Sequence, residues 1–203
     1  MYPKQAISGV VLAGGRATRM GGEDKGLVKV AGRPMVEYVA ECLRGQSAEI
    51  LVTANRNLQR YGELCDCPVV EDIVGDFAGP LAGMASAMRF ARTPYILTAP
   101  CDSPLVSAAL GRRLFEALEK ERAEIAVAHD GERMQPVCAL LHRDLLESML
   151  AYLESGESKI DRWYAKHRTA LGDFSDEPSM FLNINTPAQL AELEARLLKA
   201  CAS

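Results

Sequence analysis

Between Val10 and Lys25 the chain reads VVLAGGRATRMGGEDK, so an apolar run passes directly into a loop with four glycines, two arginines and a closing lysine. The glycines are Gly14, Gly15, Gly21 and Gly22, and the arginines Arg16 and Arg19. Glycines let backbone N–H groups approach an anion with no Cβ in the way, and nearby cations neutralise its charge. The loop has the build of a phosphate cradle, and a nucleoside triphosphate is the guest it suits. Two common phosphate fingerprints do not account for it. The pattern GxxxxGK[ST] needs a hydroxyl after the lysine, where this chain has Gly26. The pattern GxGxxG fails because Gly14 and Gly15 are adjacent and Arg16, Ala17 and Thr18 follow.

A second chemical feature is PCDSP, Pro100 to Pro104, at the end of the apolar run YILTA. An acid there, stiffened by two prolines, is a natural ligand for a divalent cation. Mg2+ binds through one or two carboxylates plus substrate phosphates and water, so Asp102 alone is chemically sufficient. The competing reading makes Asp102 the cap of a helix starting near Val106. Asp72 offers acceptor oxygens to the donors of a guanine base or a ribose hydroxyl pair, or is a solvated turn charge.

These residues need a scaffold that delivers them to one place. Compact apolar runs predict strands over 7–12, 49–53, 68–70, 95–99, 124–128 and 136–142. Helical spacing predicts helices over 35–43 (after Pro34), 81–91, 106–121, 143–154 and 159–167. A strand over 181–184 leads through a turn at Asn185, Thr186 and Pro187 into a final helix. Strands alternating with helices imply an α/β fold, a mostly parallel sheet with helices on both faces. Ligands of such sheets bind outside the carboxyl ends of the strands. The strand tails then converge: Leu12 to Gly15, Ala54 to Arg56, Glu71 and Asp72, and Pro100 to Pro104.

The 203 residues suit one domain, and 48% hydrophobic content is enough for an ordinary core. A net charge of −4 gives no general attraction to nucleic acid or acidic membranes, so anion binding must come from a local cluster such as the opening loop. There is no apolar run of the roughly eighteen residues a membrane helix needs and no leader-like pattern, so a cytoplasmic enzyme is expected. Cysteines at 42, 65, 67, 101, 138 and 201 form no CxxC unit. They read as reduced packing residues; Cys65 and Cys67 lack histidines at zinc-ligand spacing. Trp163 is expected to pack a peripheral helix.

Together, LAGGRATRMGGEDK, GPLAGM (Gly79 to Met84), PCDSP and FLNINTP (Phe181 to Pro187) resemble the molybdenum cofactor guanylyltransferase (MobA) family. The motifs follow the family's order from Ile7 to the C-terminal helix. The resemblance implies a single nucleotidyltransferase domain over 1–203 and GMP transfer from GTP to the terminal phosphate of molybdenum-molybdopterin. The products would be the guanine dinucleotide cofactor and pyrophosphate, with Mg2+ as cofactor. By position it implies nucleotide contacts at Leu12, Ala13, Gly14, Gly15, Lys25, Thr53, Asn55, Asp72, Pro80, Leu81 and Asp102. Arg19, Lys25 and Asp102 would be catalytic, Asp102 holding the metal, while Gly22, Asn183 and Asn185 would face the pterin. Thr53 departs from the asparagine of some members, so Asn55 is the alternative contact there. Lys159 and Arg162 are candidates for the pterin or ordinary surface charges. Molybdenum-insertion proteins and molybdoenzyme chaperones are the partners implied.

The acceptor phosphate is already ionised, so no general base is required, and catalysis reduces to positioning and electrostatics. A cytidylyltransferase of the same pterin would read TAAG at the first loop and lack PLAG; this chain has LAGG at 12–15 and PLAG at 80–83, which favours guanine. A sugar-phosphate nucleotidyltransferase and a noncatalytic nucleotide-binding regulator are the remaining alternatives.

Overall fold

In the computed structural model the described residues are 1–14, 24–73, 79–182, 189, 193 and 194. β1 (Ile7–Leu12) leads through a small ribbon, β2 (Lys29–Val30) and β3 (Arg33–Pro34), into α1 (Met35–Arg44). β4 (Glu49–Thr53), α2 (Leu58–Cys65), β5 (Val69–Val70), α3 (Pro80–Phe90) and β6 (Tyr95–Pro100) complete the first half. The second half is α4 (Leu110–Glu121), β7 (Ile125–His129), β8 (Met134–His142), α5 (Leu146–Glu154), α6 (Ile160–Tyr164) and β9 (Thr169–Asp173).

Among the described residues, seven strands form one sheet in the order β5-β4-β1-β6-β8-β7-β9. Neighbours are parallel except at β8, which runs antiparallel to both β6 and β7. All six residues of β1 are buried, because helices cover both faces and leave no position for a polar alternation. Val11 points into the layer with Val36, Val39 and Leu43 of α1, Tyr61 of α2 and Leu114 of α4. Val10 and Leu12 point the other way, to Leu81, Met84 and Met88 of α3, with Met149 of α5 and Trp163 of α6 in the same layer. Trp163 is thus a core side chain of a short helix, as expected.

This layering fixes where a ligand can sit. From β1 the chain steps outward to β4 and β5 with α1 and α2 on one face. It then returns through α3 on the other face to place β6 against the opposite side of β1. Right-handed crossovers in opposite directions must use opposite faces, and a crevice opens where the order reverses. Here that crevice lies outside the carboxyl ends of β1 and β6.

Several elements differ from the sequence expectation. α4 begins at Leu110 rather than near Val106, because Ser107 folds a turn first, its hydroxyl accepting from Ala109 N–H at 3.1 Å. Asp102 therefore does not cap α4, whose N-cap is Ala109. α2 and the β2–β3 ribbon are additions, as is β9, an edge strand that joins β7 through its backbone and exposes Leu171. Phe181 closes a single 3-10 turn (Pro178–Phe181) instead of opening a strand. Most of the expected final helix lies outside the described residues.

Candidate active site

The carboxyl end of β6 carries Asp102. The β1–β6 ladder continues past the strands through Cys101 N–H to Leu12 O at 3.1 Å, which sets Asp102 at the rim of the crevice. Its residue surface is 8% exposed, and Lys25 Nζ lies 3.1 Å from its Oδ2. Lys25 opens a 3-10 turn (Lys25–Leu27) that presses close to the sheet. A Cβ on Gly26 would stand 3.0 Å from Tyr61 Oη and 3.1 Å from both Cβ and Sγ of Cys101. A side chain there would have to push Tyr61 and Cys101 back by a few tenths of an ångström, so glycine suits the close approach that brings Lys25 to Asp102. Burial raises the Cys101 thiol pKa, so it contributes packing and no charge beside the pair.

The residue before Lys25 anchors the turn from the other side. Asp24 is buried and ion-pairs with Arg56, and it accepts from Asn57 Nδ2 at 2.6 Å. Both partners follow β4, and Asn57 adopts a left-handed conformation (φ 52°) as the N-cap of α2. The tail of β4 thus holds the phosphate-side turn. Sequence reasoning missed Asp24; its partners are 32 and 33 positions away, and an acid between Glu23 and Lys25 carries no signal of such pairing.

The tail of β4 also reaches the other side of the crevice. Ala13 N–H bonds to Thr53 O at 2.8 Å and Ala54 N–H to Val70 O at 3.0 Å, keeping three strand tails in register. Asn55 then locks onto Asp72 twice: its Nδ2 donates to Asp72 Oδ2 at 2.6 Å and its Oδ1 accepts from Asp72 N–H at 3.0 Å. Burial raises the Asp72 carboxyl pKa above its ordinary value, with the Asn55 hydrogen bond offsetting part of the rise. Gly14 stands beside it, its missing Cβ 3.9 Å from Asp72 Oδ2.

Thr53 serves this region differently from the expectation. Its hydroxyl is buried under α3, with no hydrogen-bond partner among the described residues, and a Cβ on Gly83 would come within 2.9 Å of it. Asn55 is the polar side chain that the tail of β4 offers instead. Leu81 is wholly buried in the core, so only its backbone is available at the start of α3, while Pro80 is exposed. Gly79 turns the chain into α3 with φ 76° and ψ −165°, a region open in practice only to glycine.

The structure thus brings Leu12, Ala13, Gly14, Lys25, Asn55, Asp72, Pro80 and Asp102 to one end of the sheet. Gly15, Arg16, Arg19, Gly22, Asn183 and Asn185 lie outside the described residues. Lys159, the N-cap of α6, and Arg162 within it are exposed, Arg162 pairing with Glu157 at 3.6 Å. Among the described residues no group of three or more His, Cys, Asp and Glu side chains could hold a metal unaided. The single carboxylate of Asp102 suits Mg2+ shared with substrate phosphates.

Residues 9–170 match the family model described as the MobA-like NTP transferase domain. The chain is 49% identical to the molybdenum cofactor guanylyltransferase of Shewanella sediminis (strain HAW-EB3), over 95% of this chain and 98% of that protein. It is 51% identical to the protein of the same name from Shewanella sp. (strain MR-4), over 94% of this chain and 96% of that one. Its fold matches the crystal structure of molybdopterin-guanine dinucleotide biosynthesis protein A from Archaeoglobus fulgidus with a TM-score of 0.76 at 21% identity, covering 95% and 99% of the two chains.

Proposed function

The chain belongs to the MobA-like NTP transferase family, and on that premise we propose that it transfers GMP from GTP to the terminal phosphate of molybdenum-molybdopterin, yielding the guanine dinucleotide cofactor and pyrophosphate. The observation that carries this reading is the pairing of Lys25 with Asp102 at the reversal point of the sheet, with the Asn55–Asp72 unit across the same crevice. One side suits polyphosphate, the other a base with adjacent donors.

In this reading Asp72 accepts from guanine, Asn55 holds the carboxylate in place, and Gly14 leaves room for the nucleoside. Lys25, Arg19 and the glycine-loop N–H groups meet the phosphates, while Gly22, Asn183 and Asn185 face the pterin. Asp102 would hold Mg2+, which when bound supplies a Lewis acid for the charge of the phosphates. Lys25 and the buried Asp24 clamp keep that charge-stabilising geometry in place before substrate arrives, which is how preorganised electrostatics lower a barrier. The acceptor phosphate needs no deprotonation at neutral pH, so the residues have to align two polyanions and shield their repulsion.

None of the helices among the described residues is long and apolar enough to cross a membrane. A cytoplasmic location, with molybdenum-insertion proteins and molybdoenzyme chaperones as partners, completes the proposal. The test is pyrophosphate release from purified protein given Mg2+, molybdenum-loaded molybdopterin and each nucleoside triphosphate in turn. GTP should be preferred over CTP by at least about a hundredfold, since a site that hydrogen-bonds one base leaves polar groups unpaired with another. Preference for CTP would overturn the base assignment, and no release with any nucleotide would favour a noncatalytic binding module.

A further inference from the structure

Arg113, in the first turn of α4, belongs to neither the Lys25–Asp102 pair nor the Asn55–Asp72 unit. Its guanidinium gathers the segment that leaves β9. Nη1 donates to Asp173 O at 3.1 Å and to Asp176 Oδ1 at 2.6 Å, while Nη2 donates to Asp176 Oδ2 at 2.8 Å and to Glu177 Oε1 at 3.1 Å. The same group lies over the Phe174 ring, 5.1 Å from its centroid. Its fork thus grips both oxygens of one carboxylate, a neighbouring acid, a backbone carbonyl and an aromatic face, all within 173–177. An isolated surface ion pair contributes little, but a bidentate pair inside such a network holds a chain in one geometry.

Close packing on either side leaves this segment little freedom. A Cβ on Gly172 would stand 2.8 Å from Leu114 Cδ2, so α4 lies tight over β9 and sets Arg113 above Phe174. On the other side Phe174 N–H bonds to His129 O at 2.9 Å, and a Cβ on Gly131, in the β7–β8 turn, would stand 3.0 Å from Ser175 Cβ. Phe174 meets Phe181 edge-on with ring centroids 6.0 Å apart, and Met180 is buried in the layer that holds Cys101 and Cys138. Arg113 therefore fixes residues 173–177, and these seat the 3-10 turn that ends at Phe181.

The place of this clamp in the fold gives it a use. β8 runs antiparallel to both β6 and β7, and β9 is parallel to β7, so β6, β7 and β9 point their carboxyl ends the same way. The clamped segment leaves the sheet at the end where Asp102 follows β6. Asp72 follows β5, at the opposite edge from β9. With GTP between Asp72 and Asp102, the acceptor has to approach from the side of β8, β7 and β9. Asn183, which the functional reading turns toward the pterin, follows Leu182 directly in the chain. We propose that Arg113 is a positioning residue for the acceptor: by clamping residues 173–177 it fixes where the chain toward Asn183 starts, and so sets the affinity for molybdenum-molybdopterin without touching GTP. This role rests on the guanylyl-transfer reading of the site.

The test is steady-state pyrophosphate release by the full chain with Mg2+, varying GTP and molybdenum-molybdopterin separately, with equilibrium binding of GTP alone as a second readout. Arg113→Gln should raise the KM for molybdenum-molybdopterin at least about tenfold, the order of loss when a positioning segment is misplaced, and leave the KM and Kd for GTP at wild-type values. Asp176→Ala should do the same from the other end of the contact, and the double variant should be no worse than either single one. Arg113→Lys keeps the charge but loses the fork, so it should recover only part of the loss. Arg112→Gln, one position away and paired with Glu116, is the control and should leave both KM values unchanged. A clamp that only held the fold together would lower the melting temperature and the active fraction with both KM values in place, and that result would overturn the proposal. Equal rises in both KM values, or additive losses in the double variant, would overturn it as well. A wild type that binds GTP but releases no pyrophosphate would instead remove the guanylyl-transfer reading, and the acceptor role of Arg113 with it.

Discussion

Asp102, buried, and Asp72, half-buried, are two carboxylates with opposite demands on the fold. Asp102 has a lysine 3.1 Å away, so its charge is met before any ligand arrives. Asp102→Ala should lower kcat by about a hundredfold to a thousandfold, the usual loss when one preorganised electrostatic group is removed. Circular dichroism should meanwhile show an intact fold, and near-normal turnover would reject the role. Among the described residues the Asn55 amide is what offsets the burial of Asp72, whose folded pKa lies above the unfolded value of 3.8. The sign follows directly: protonation favours the folded state, so stability is fullest below pH 3.8 and is lost as pH rises through the folded pKa. Asp72→Asn should therefore melt higher than wild type at pH 7, with the advantage shrinking as pH approaches 3.8. It should also raise the KM for GTP about tenfold, the equivalent of one charge-assisted hydrogen bond. Equal melting temperatures at pH 7 would show that burying this carboxylate costs nothing.

The elements act by approaching one another closely, and the approach depends on small residues. The Lys25 turn packs on Cys101 and Tyr61 at Gly26, so that an added methyl group would crowd both at 3.0–3.1 Å. Gly26→Ala should lift the turn, lower stability by about 1–3 kcal/mol as overpacking does, and reduce kcat/KM by at least about tenfold by drawing Lys25 away from Asp102. Thermal melts and steady-state kinetics check both parts; unchanged kinetics in a destabilised variant would separate the turn from catalysis. α3 meets β4 at Gly83 over the Thr53 hydroxyl, which is buried without a partner among the described residues. Thr53→Val keeps the shape and removes the stranded polar group, so it should be neutral or stabilising by up to about 1 kcal/mol and leave the KM for GTP unchanged. A clear rise in KM would return the Thr53 side chain to the nucleotide contacts.

The whole molecule is a sheet whose strand order reverses beside β1, and that reversal converts scattered motifs into one crevice. Much of this was legible from the chain. β1, β4 and β6 are mostly buried on both faces and so read as largely apolar runs, and the tail that follows each carries residues of chemical character. What was not legible depended on backbone pairing or distant partners. β9 has two exposed residues in five and joins the sheet at its edge, so its side chains carry little strand signal. α2 is only eight residues long, and its Tyr61 and Cys65 show their purpose only once the sheet is assembled beneath them. The Asp24 clamp and the Asn55–Asp72 lock join residues 17 to 33 positions apart, a relation that no local spacing records.

The most direct test of the central claim is a crystal structure of the protein with GTP and Mg2+. Triphosphate oxygens should lie within hydrogen-bond reach of Lys25 Nζ, with the cation on Asp102 and the guanine edge on Asp72. Guanosine lodged away from Asp72, with its phosphates clear of both Lys25 and Asp102, would contradict it.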